Sequence, residues 1–293
     1  MKVLFIGSVQ FSEKMLLELI KLNANIVGVC TLKESDANSD HFDLSKVAKK
    51  SGIPFKYTPD INSDDNKSWI KSLKPDIIFC LGWSKLLDKN FLKLAPRGVI
   101  GFHPAALPQN RGRHPIIWSL VLGLKSSACT FFQMEEGADT GNILLQKIFK
   151  ISEKDDASSV YQKIEKIAVT QIKNLFHQLK SDSVLPVTQN HSQSNSWRKR
   201  NKADGRIDWR MPSKGIYNLV RGLSHPYPGA HFEYKDTNII LWSCKVLSDF
   251  PDNIESGKIL GIGEKGPIIK SGDGALELLD FEPKINFVLG EYL

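Results

Sequence analysis

The chain has 293 residues, 41% of them apolar, with 39 Lys and Arg against 32 Asp and Glu for a formal charge of +7. That length exceeds one ordinary domain of roughly 100–200 residues and points to one large plus one small domain with a sizeable core. No window approaches the roughly 18 uninterrupted apolar residues of a membrane span, and Met-Lys-Val-Leu-Phe-Ile-Gly enters a strand-like run without a signal-peptide layout, so a cytoplasmic protein with no membrane partner is expected.

From the N-terminus, short β-branched apolar runs alternate with longer amphipathic ones, the pattern of βα units around a parallel sheet. Strands are expected over residues 3–7, 25–31, 55–58, 76–81, 99–103 and 129–134, with 144–151 closing an edge. Helices are expected over 12–21, 44–50, 66–72, 84–94 and 115–122. The first places Met15, Leu16, Leu19 and Ile20 on one face. Residues 156–179 read as one long helix packed on the sheet. Composition then turns polar and loses its period, so 182–204 is expected to be a linker between a 1–181 catalytic domain and a 205–293 β-rich domain. Past the linker a short helix over 212–223 precedes strands over 230–234, 238–242, 246–250, 258–262, 268–270 and 276–281, which suggest a small barrel-like unit. Cys30, Cys80, Cys129 and Cys244 are widely spaced beside apolar runs without a C-x-x-C pair, and read as buried thiols.

An open parallel sheet binds ligands at the carboxyl ends of its strands, so the loops leaving the apolar runs are where chemistry is expected. Gly7-Ser8-Val9-Gln10-Phe11 lacks the dinucleotide fingerprint and is either an ordinary turn or a place where Ser8 and the following amides meet a polar ligand. The strand ending in His103 runs into a loop stiffened by Pro104, Pro108 and Pro115. An imidazole changes charge near neutral pH, which suits it to acid–base work or to stabilising an anion, and Arg111, Arg113 and His114 add a cluster able to hold anions. A third loop, Met134-Glu135-Glu136-Gly137-Ala138-Asp139-Thr140-Gly141, presents Asp139 on a tight turn. Taken alone it is an acidic surface turn, but opposite an imidazole its carboxylate can orient the ring and accept a proton.

Together, His103-Pro-Ala-Ala-Leu-Pro-Gln-Asn-Arg-Gly and, about 30 residues on, Met-Glu-Glu-Gly-Ala-Asp139-Thr-Gly resemble the formyltransferase family that uses 10-formyltetrahydrofolate. Asp204-Gly-Arg-Ile-Asp208-Trp209 and His225-Pro-Tyr-Pro-Gly229-Ala extend the likeness through the C-terminal part, as in methionyl-tRNA formyltransferases and sugar-nucleotide N-formyltransferases. The resemblance implies an α/β fold: a Rossmann-like parallel-sheet domain carrying both ligands, followed by a small C-terminal β-rich domain. The family's catalytic set is an Asn, a His two residues later and an Asp in the D-T-G turn. His103 and Asp139 match, but Gly101 stands where the Asn is expected, and Asn110 is either a replacement carboxamide or a turn residue.

By the same resemblance, a neutral amine attacks the folate formyl carbon. His103 steadies the charge developing on the formyl oxygen, with Asn110 or a backbone N–H as second donor, and Asp139 takes the proton from the amine. The pteridine would lie against the main chain of Leu81–Leu87, including Trp83, Leu86 and Leu87, and of the loop that carries Glu136 and Asp139. Ser8, Arg111, Arg113 and His114 would face the second ligand. No metal is expected, since the histidines lack ligand spacing.

The amine is read from charge. A tRNA binder should display base along its contact surfaces, yet residues 196–293 carry 14 Lys and Arg against 13 Asp and Glu, and residues 31–43 have one Lys against four acids. The one basic run, Trp197-Arg198-Lys199-Arg200-Asn201-Lys202, is either a phosphate contact or a solvated linker. A nucleotide-linked amino sugar is therefore favoured over tRNA, with resemblance to enzymes acting on UDP-linked 4-amino sugars for surface glycans, and a homodimer is expected by the same likeness. Two other readings stay open: a methionyl-tRNA formyltransferase, and a non-catalytic folate- or nucleotide-binding homologue, the latter because of Gly101.

Overall fold

The run Lys2–Ile6 forms β1, with its last four residues buried, as expected of a strand covered on both faces. This computed structural model describes residues 1–35, 39–248, 250–251 and 253–293. After β1 come α1 (Gln10–Lys21), β2 (Asn25–Thr31), α2 (Ser45–Lys50), β3 (Phe55–Tyr57), α3 (Asp64–Leu73), β4 (Ile77–Cys80), α4 (Lys89–Leu92) and β5 (Val99–His103). Next are β6 (Arg111–Gly112), α5 (Pro115–Val121), β7 (Ser126–Gln133), β8 (Ile143–Lys150), α6 (Ala157–Lys180) and β9 (Ser196–Trp197). The chain ends with α7 (Ser213–Leu223), β10 (Ala230–Tyr234), β11 (Thr237–Leu247), β12 (Ile259–Ile262), β13 (Pro267–Lys270) and β14 (Ala275–Glu282). Two compact units result: Met1–Pro115 with Ser127–Phe149 and Gln162–Trp197, and Ile116–Ser126 with Lys150–Tyr161 and Arg198–Leu293.

In the first unit seven strands form one sheet in the order β3-β2-β1-β4-β5-β7-β8. β1 is parallel to β2 and β4, and β4 is parallel to β5. β7 runs antiparallel to β5, pairing His103 with Thr130 and Ile100 with Gln133. The loop that carries Asp139 therefore does not leave the carboxyl edge as the sequence suggested. It starts beside Ile100, at the other end of β5, and returns along that strand. β8 closes the edge, as expected.

The helix expected over 84–94 shrinks to α4. In place of its first turn, carbonyls there meet side chains from elsewhere: Arg113 Nη1 donates to Ser84 O at 2.7 Å and Asn62 Nδ2 to Leu86 O at 2.9 Å. Asp88 then starts the helix, its Oδ1 accepting from Phe91 N at 2.7 Å. Residues 36–38, within the acidic stretch noted above, lie outside the described residues.

All four cysteines are buried and free. Burial alone pushes the Cys129 and Cys244 thiols from 9.0 to about 12, burial chiefly does the same to Cys30, and Cys80 rises as well. The folded values are raised, so this contribution to stability is complete below about pH 9 and is lost between about pH 9 and 12. Denaturant midpoints should hold between pH 7 and 8.5 and fall by pH 10.5, and a thiol reagent at pH 8 should label the cysteines only after unfolding. Rapid labelling of the folded protein would contradict this.

In the second unit one antiparallel sheet runs β10-β11-β14-β13-β12. α7 supplies Ile216, Leu219, Val220 and Leu223 to a core with Phe232, Leu241, Leu276 and Leu278. The two strands expected over 238–242 and 246–250 are one, β11, and Asp249 lies outside the described residues. The basic run is folded back on itself. Arg198 bonds to both carboxylate oxygens of Asp204, and Arg200, buried, donates to Asp204 O at 2.5 Å. Their guanidinium carbons stand 5.4 and 4.7 Å from the Trp118 ring. Among the described residues no helix is long and apolar enough to cross a membrane.

Candidate active site

β5 ends in His103, 5% exposed. Residues 104–109 then turn the chain so that Asn110 lies beside the imidazole, and His103 Nε2 is 2.7 Å from Asn110 O. A carbonyl can only accept, so Nε2 carries the proton. That leaves Nδ1 as the free ring atom, and it faces Asp139 Oδ2 at 3.6 Å. The separation suits an ion pair but exceeds a direct hydrogen bond. Asp139 Oδ2 accepts from Gly112 N at 2.9 Å, and Oδ1 accepts no hydrogen bond among the described residues.

Backbone strain concentrates here. Asn110, His114 and Asp139 have φ of 62, 53 and 58°. Asn and Asp tolerate the left-handed region better than most residues, and strained backbone of this kind gathers at functional sites. Gly112 sits at φ 99°, and a Cβ there would lie 2.4 Å from Trp197 O. Only glycine lets β6 come this close to β9, whose parallel pairing joins Arg111 to Ser196 and Gly112 to Trp197. A Cβ at Gly141 would lie 1.8 Å from Gln133 O, so glycine also closes the Asp139 turn.

Gly101 is not an empty socket. A Cβ there would come within 2.8 Å of Met134 Cγ and 2.9 Å of Phe132 Cζ. The returning loop fills the space that a carboxamide would need. Asn110 has its N–H on Asn195 Oδ1 at 2.8 Å and its carbonyl on His103, while its side-chain carboxamide makes no hydrogen bond among the described residues.

The other expected site residues divide. Arg111 is corrected: it is 6% exposed and points inward, its Nη2 donating to Gln189 Oε1 at 2.6 Å and to His191 Nδ1 at 3.0 Å, so it is not a surface anion ligand. Ser8 is 1% exposed, and its buried Oγ has no hydrogen-bond partner among the described residues. The Leu87 side chain belongs to the core with Leu4, Ile78 and Phe91, which leaves only its main chain for a ligand. Arg113 remains partly open beyond its bond to Ser84 O. His114 is partly buried. Leu86 is 71% exposed, an apolar side chain bare on the loop after β4. Trp83 is half-buried against the core, its Nε1 without a partner. Glu136 is exposed and pairs with Lys89 at 2.9 Å. Gln189, His191 and Asn195 were not expected at the site, because they lie in the polar stretch read as a linker, where no periodicity marks them. Among the described residues no group of three or more His, Cys, Asp or Glu could hold a metal.

An imidazole and a carboxylate from separate turns thus face each other at 3.6 Å in the unit built on the seven-stranded sheet. The chain belongs to the formyl transferase family: residues 1–174 match the formyl transferase domain and residues 199–286 the formyl transferase C-terminal domain. It is an enzyme of formyl transfer. It is 34% identical over 231 residues to the bifunctional polymyxin resistance protein ArnA of Wigglesworthia glossinidia brevipalpis. That match takes in 78% of this chain but only 35% of ArnA. It is 27% identical over 300 residues to the methionyl-tRNA formyltransferase of Caldanaerobacter subterraneus subsp. tengcongensis, covering 100% of this chain and 96% of that one. In fold it is similar to the N-formyltransferase of Helicobacter canadensis solved with folinic acid and dTDP-3-aminofucose, with a TM-score of 0.73, 18% identity, and 96% and 99% of the two chains covered.

Proposed function

We propose that the chain moves a formyl group from 10-formyltetrahydrofolate to the primary amine of a nucleotide-linked amino sugar. The observation that carries the chemistry is the His103–Asp139 pair at 3.6 Å, with Nε2 pinned by a carbonyl and Nδ1 left facing the carboxylate. Asp139 Oδ1, free of other bonds, accepts the proton that leaves the amine as nitrogen bonds the formyl carbon. His103, as imidazolium, turns Nδ1–H to the developing oxyanion, and the Asn110 carboxamide supplies the second donor in place of the missing Asn. The oxyanion then collapses to a carbonyl as the formyl carbon's bond to folate N10 breaks, and N10 takes the proton that Asp139 had accepted. Exposed Leu86 gives the loop after β4 an apolar surface suited to a pteridine ring.

The choice of amine rests on charge. Arg198 and Arg200 are occupied by Asp204 and Trp118, so the one basic run offers phosphate little beyond Lys199 and Lys202. Arg113, partly open beyond its bond to Ser84 O, is the arginine of this loop left to meet a diphosphate. The Helicobacter canadensis protein, solved with a dTDP-linked amino sugar and folinic acid, is consistent with this reading. The finer expectation is a UDP-linked 4-amino sugar for surface glycans, handled by a homodimer. The test is tetrahydrofolate release from 10-formyltetrahydrofolate with UDP-, dTDP- and GDP-linked amino sugars, in parallel with charged initiator tRNA. Turnover on a nucleotide sugar is expected, and turnover on tRNA alone overturns the assignment.

Asn110→Gly removes the carboxamide without burdening the positive φ. It should lower kcat by about 10²-fold, the usual loss of one oxyanion donor. A rate equal to the parent's would leave that role to backbone N–H groups.

A further inference from the structure

The polar stretch 187–197 reaches both catalytic turns. Gln189, 4% exposed, donates from Nε2 to Asp139 O at 2.9 Å and to Gly141 O at 2.6 Å, and its Oε1 accepts from Arg111 Nη2 at 2.6 Å. Carbonyls only accept and a guanidinium only donates, so this placement of the amide is the one that satisfies all three. On the other turn, Asn195 Oδ1 takes the Asn110 N–H at 2.8 Å and Asn195 O the Arg111 N–H at 3.0 Å, while Arg113 N donates to Trp197 O at 3.0 Å. One segment thus holds the loop after His103 and the turn of Asp139 at a set separation.

We infer that Gln189 is the positioning residue of Asp139, and that residues 189–197 form a brace that sets the gap between the carboxylate and His103. Arg111 serves as the brace's buried counterpart. This rests on the catalytic assignment above. The physical need is specific. Asp139 sits at φ 58°, a left-handed conformation that Asp tolerates but that still costs energy, so it is held more firmly where neighbours bond to its turn. The two carbonyls held by Gln189 are that of Asp139 itself and that of Gly141, two residues on in the same turn. Without those donors, two inward-facing acceptors lose their partner and the turn relaxes. The carboxylate then moves relative to the imidazole, and a displacement of about 1 Å costs about 10²-fold in rate. Gln189 touches no reacting atom, so its effect should fall on kcat and not on ligand affinity.

The test uses the full chain, 10-formyltetrahydrofolate and the nucleotide sugar turned over in the panel above, with kcat, both KM values and the thermal midpoint recorded. Gln189→Glu keeps the size and the acceptor for Arg111 but removes both donors to the turn. It should lower kcat by about 10–100-fold, with each KM within about threefold and a midpoint within a few degrees of the parent. A kcat within threefold of the parent, or a loss carried by KM alone, overturns the inference. Should this variant fail to fold, Asn195→Ala decides. That position is exposed, and its loss frees only the Asn110 end, so kcat should fall at least threefold with KM unchanged. An unchanged kcat there overturns the brace. His103→Ala and Asp139→Asn run alongside: if they stay active, the catalytic assignment fails and the brace with it. If they are dead while Gln189→Glu is normal, the brace alone fails.

Discussion

Replacing His103 with Ala or Asp139 with Asn should lower kcat by about 10²–10⁴-fold while leaving the protein folded. The two losses arise differently. His103→Ala removes the donor aimed at the oxyanion. It also takes away the His103 Nε2 donor that lies 2.7 Å from Asn110 O. Asp139→Asn keeps the side-chain shape and an acceptor for Gly112 N but lacks the carboxylate that takes the amine proton. The pair acts as a unit, so the double variant should lose little more than the worse single one. Rates are read as tetrahydrofolate release, and folding as the thermal midpoint. A folded His103→Ala within tenfold of the parent would remove the imidazole from the mechanism.

Restoring the family's Asn by Gly101→Asn should destabilise the protein without raising its rate. The Cβ alone would stand 2.8 Å from Met134 Cγ and 2.9 Å from Phe132 Cζ, in the middle of β5. Overpacking of this kind costs about 1–3 kcal/mol, roughly 2–4 °C of midpoint per kcal/mol in a domain of this size. Adding Met134→Ala should recover part of the midpoint, since it vacates the space that the new side chain needs. A single Gly101→Asn variant with the parent's midpoint and a higher kcat would show that the site accepts a carboxamide as it stands. The expected result makes Gly101 and Met134 one unit. Met134 and Phe132 occupy the space beside Gly101, and on the proposed mechanism the second donor is Asn110 across the site.

Arg111 shows where reading by residue type misleads. An arginine in a loop of prolines and glycines is solvated in most settings, yet this one lies beneath the loop and bonds to Gln189 and His191. Nothing local forecasts that, because its partners are about 80 residues away in sequence. The 84–94 helix fails for the same kind of reason. Its amphipathic spacing is real, but in the fold its carbonyls at Ser84 and Leu86 accept from Arg113 and Asn62.

What the amino-acid order determined by itself was the alternation of apolar runs, and with it the strands of the first sheet. It also determined the buried thiols, the break in composition after α6, and the two turns carrying His103 and Asp139. These are local properties: side-chain periodicity, turn chemistry and motif spacing act within a few residues. Only the tertiary structure decided that β7 runs against β5 and sends its loop back over Gly101, that Nδ1 and not Nε2 faces the carboxylate, and that the supposed linker grips both turns. Each depends on which distant carbonyl, amide or side chain arrives first at a shared point in space, and that is settled by packing and hydrogen-bond satisfaction across the fold.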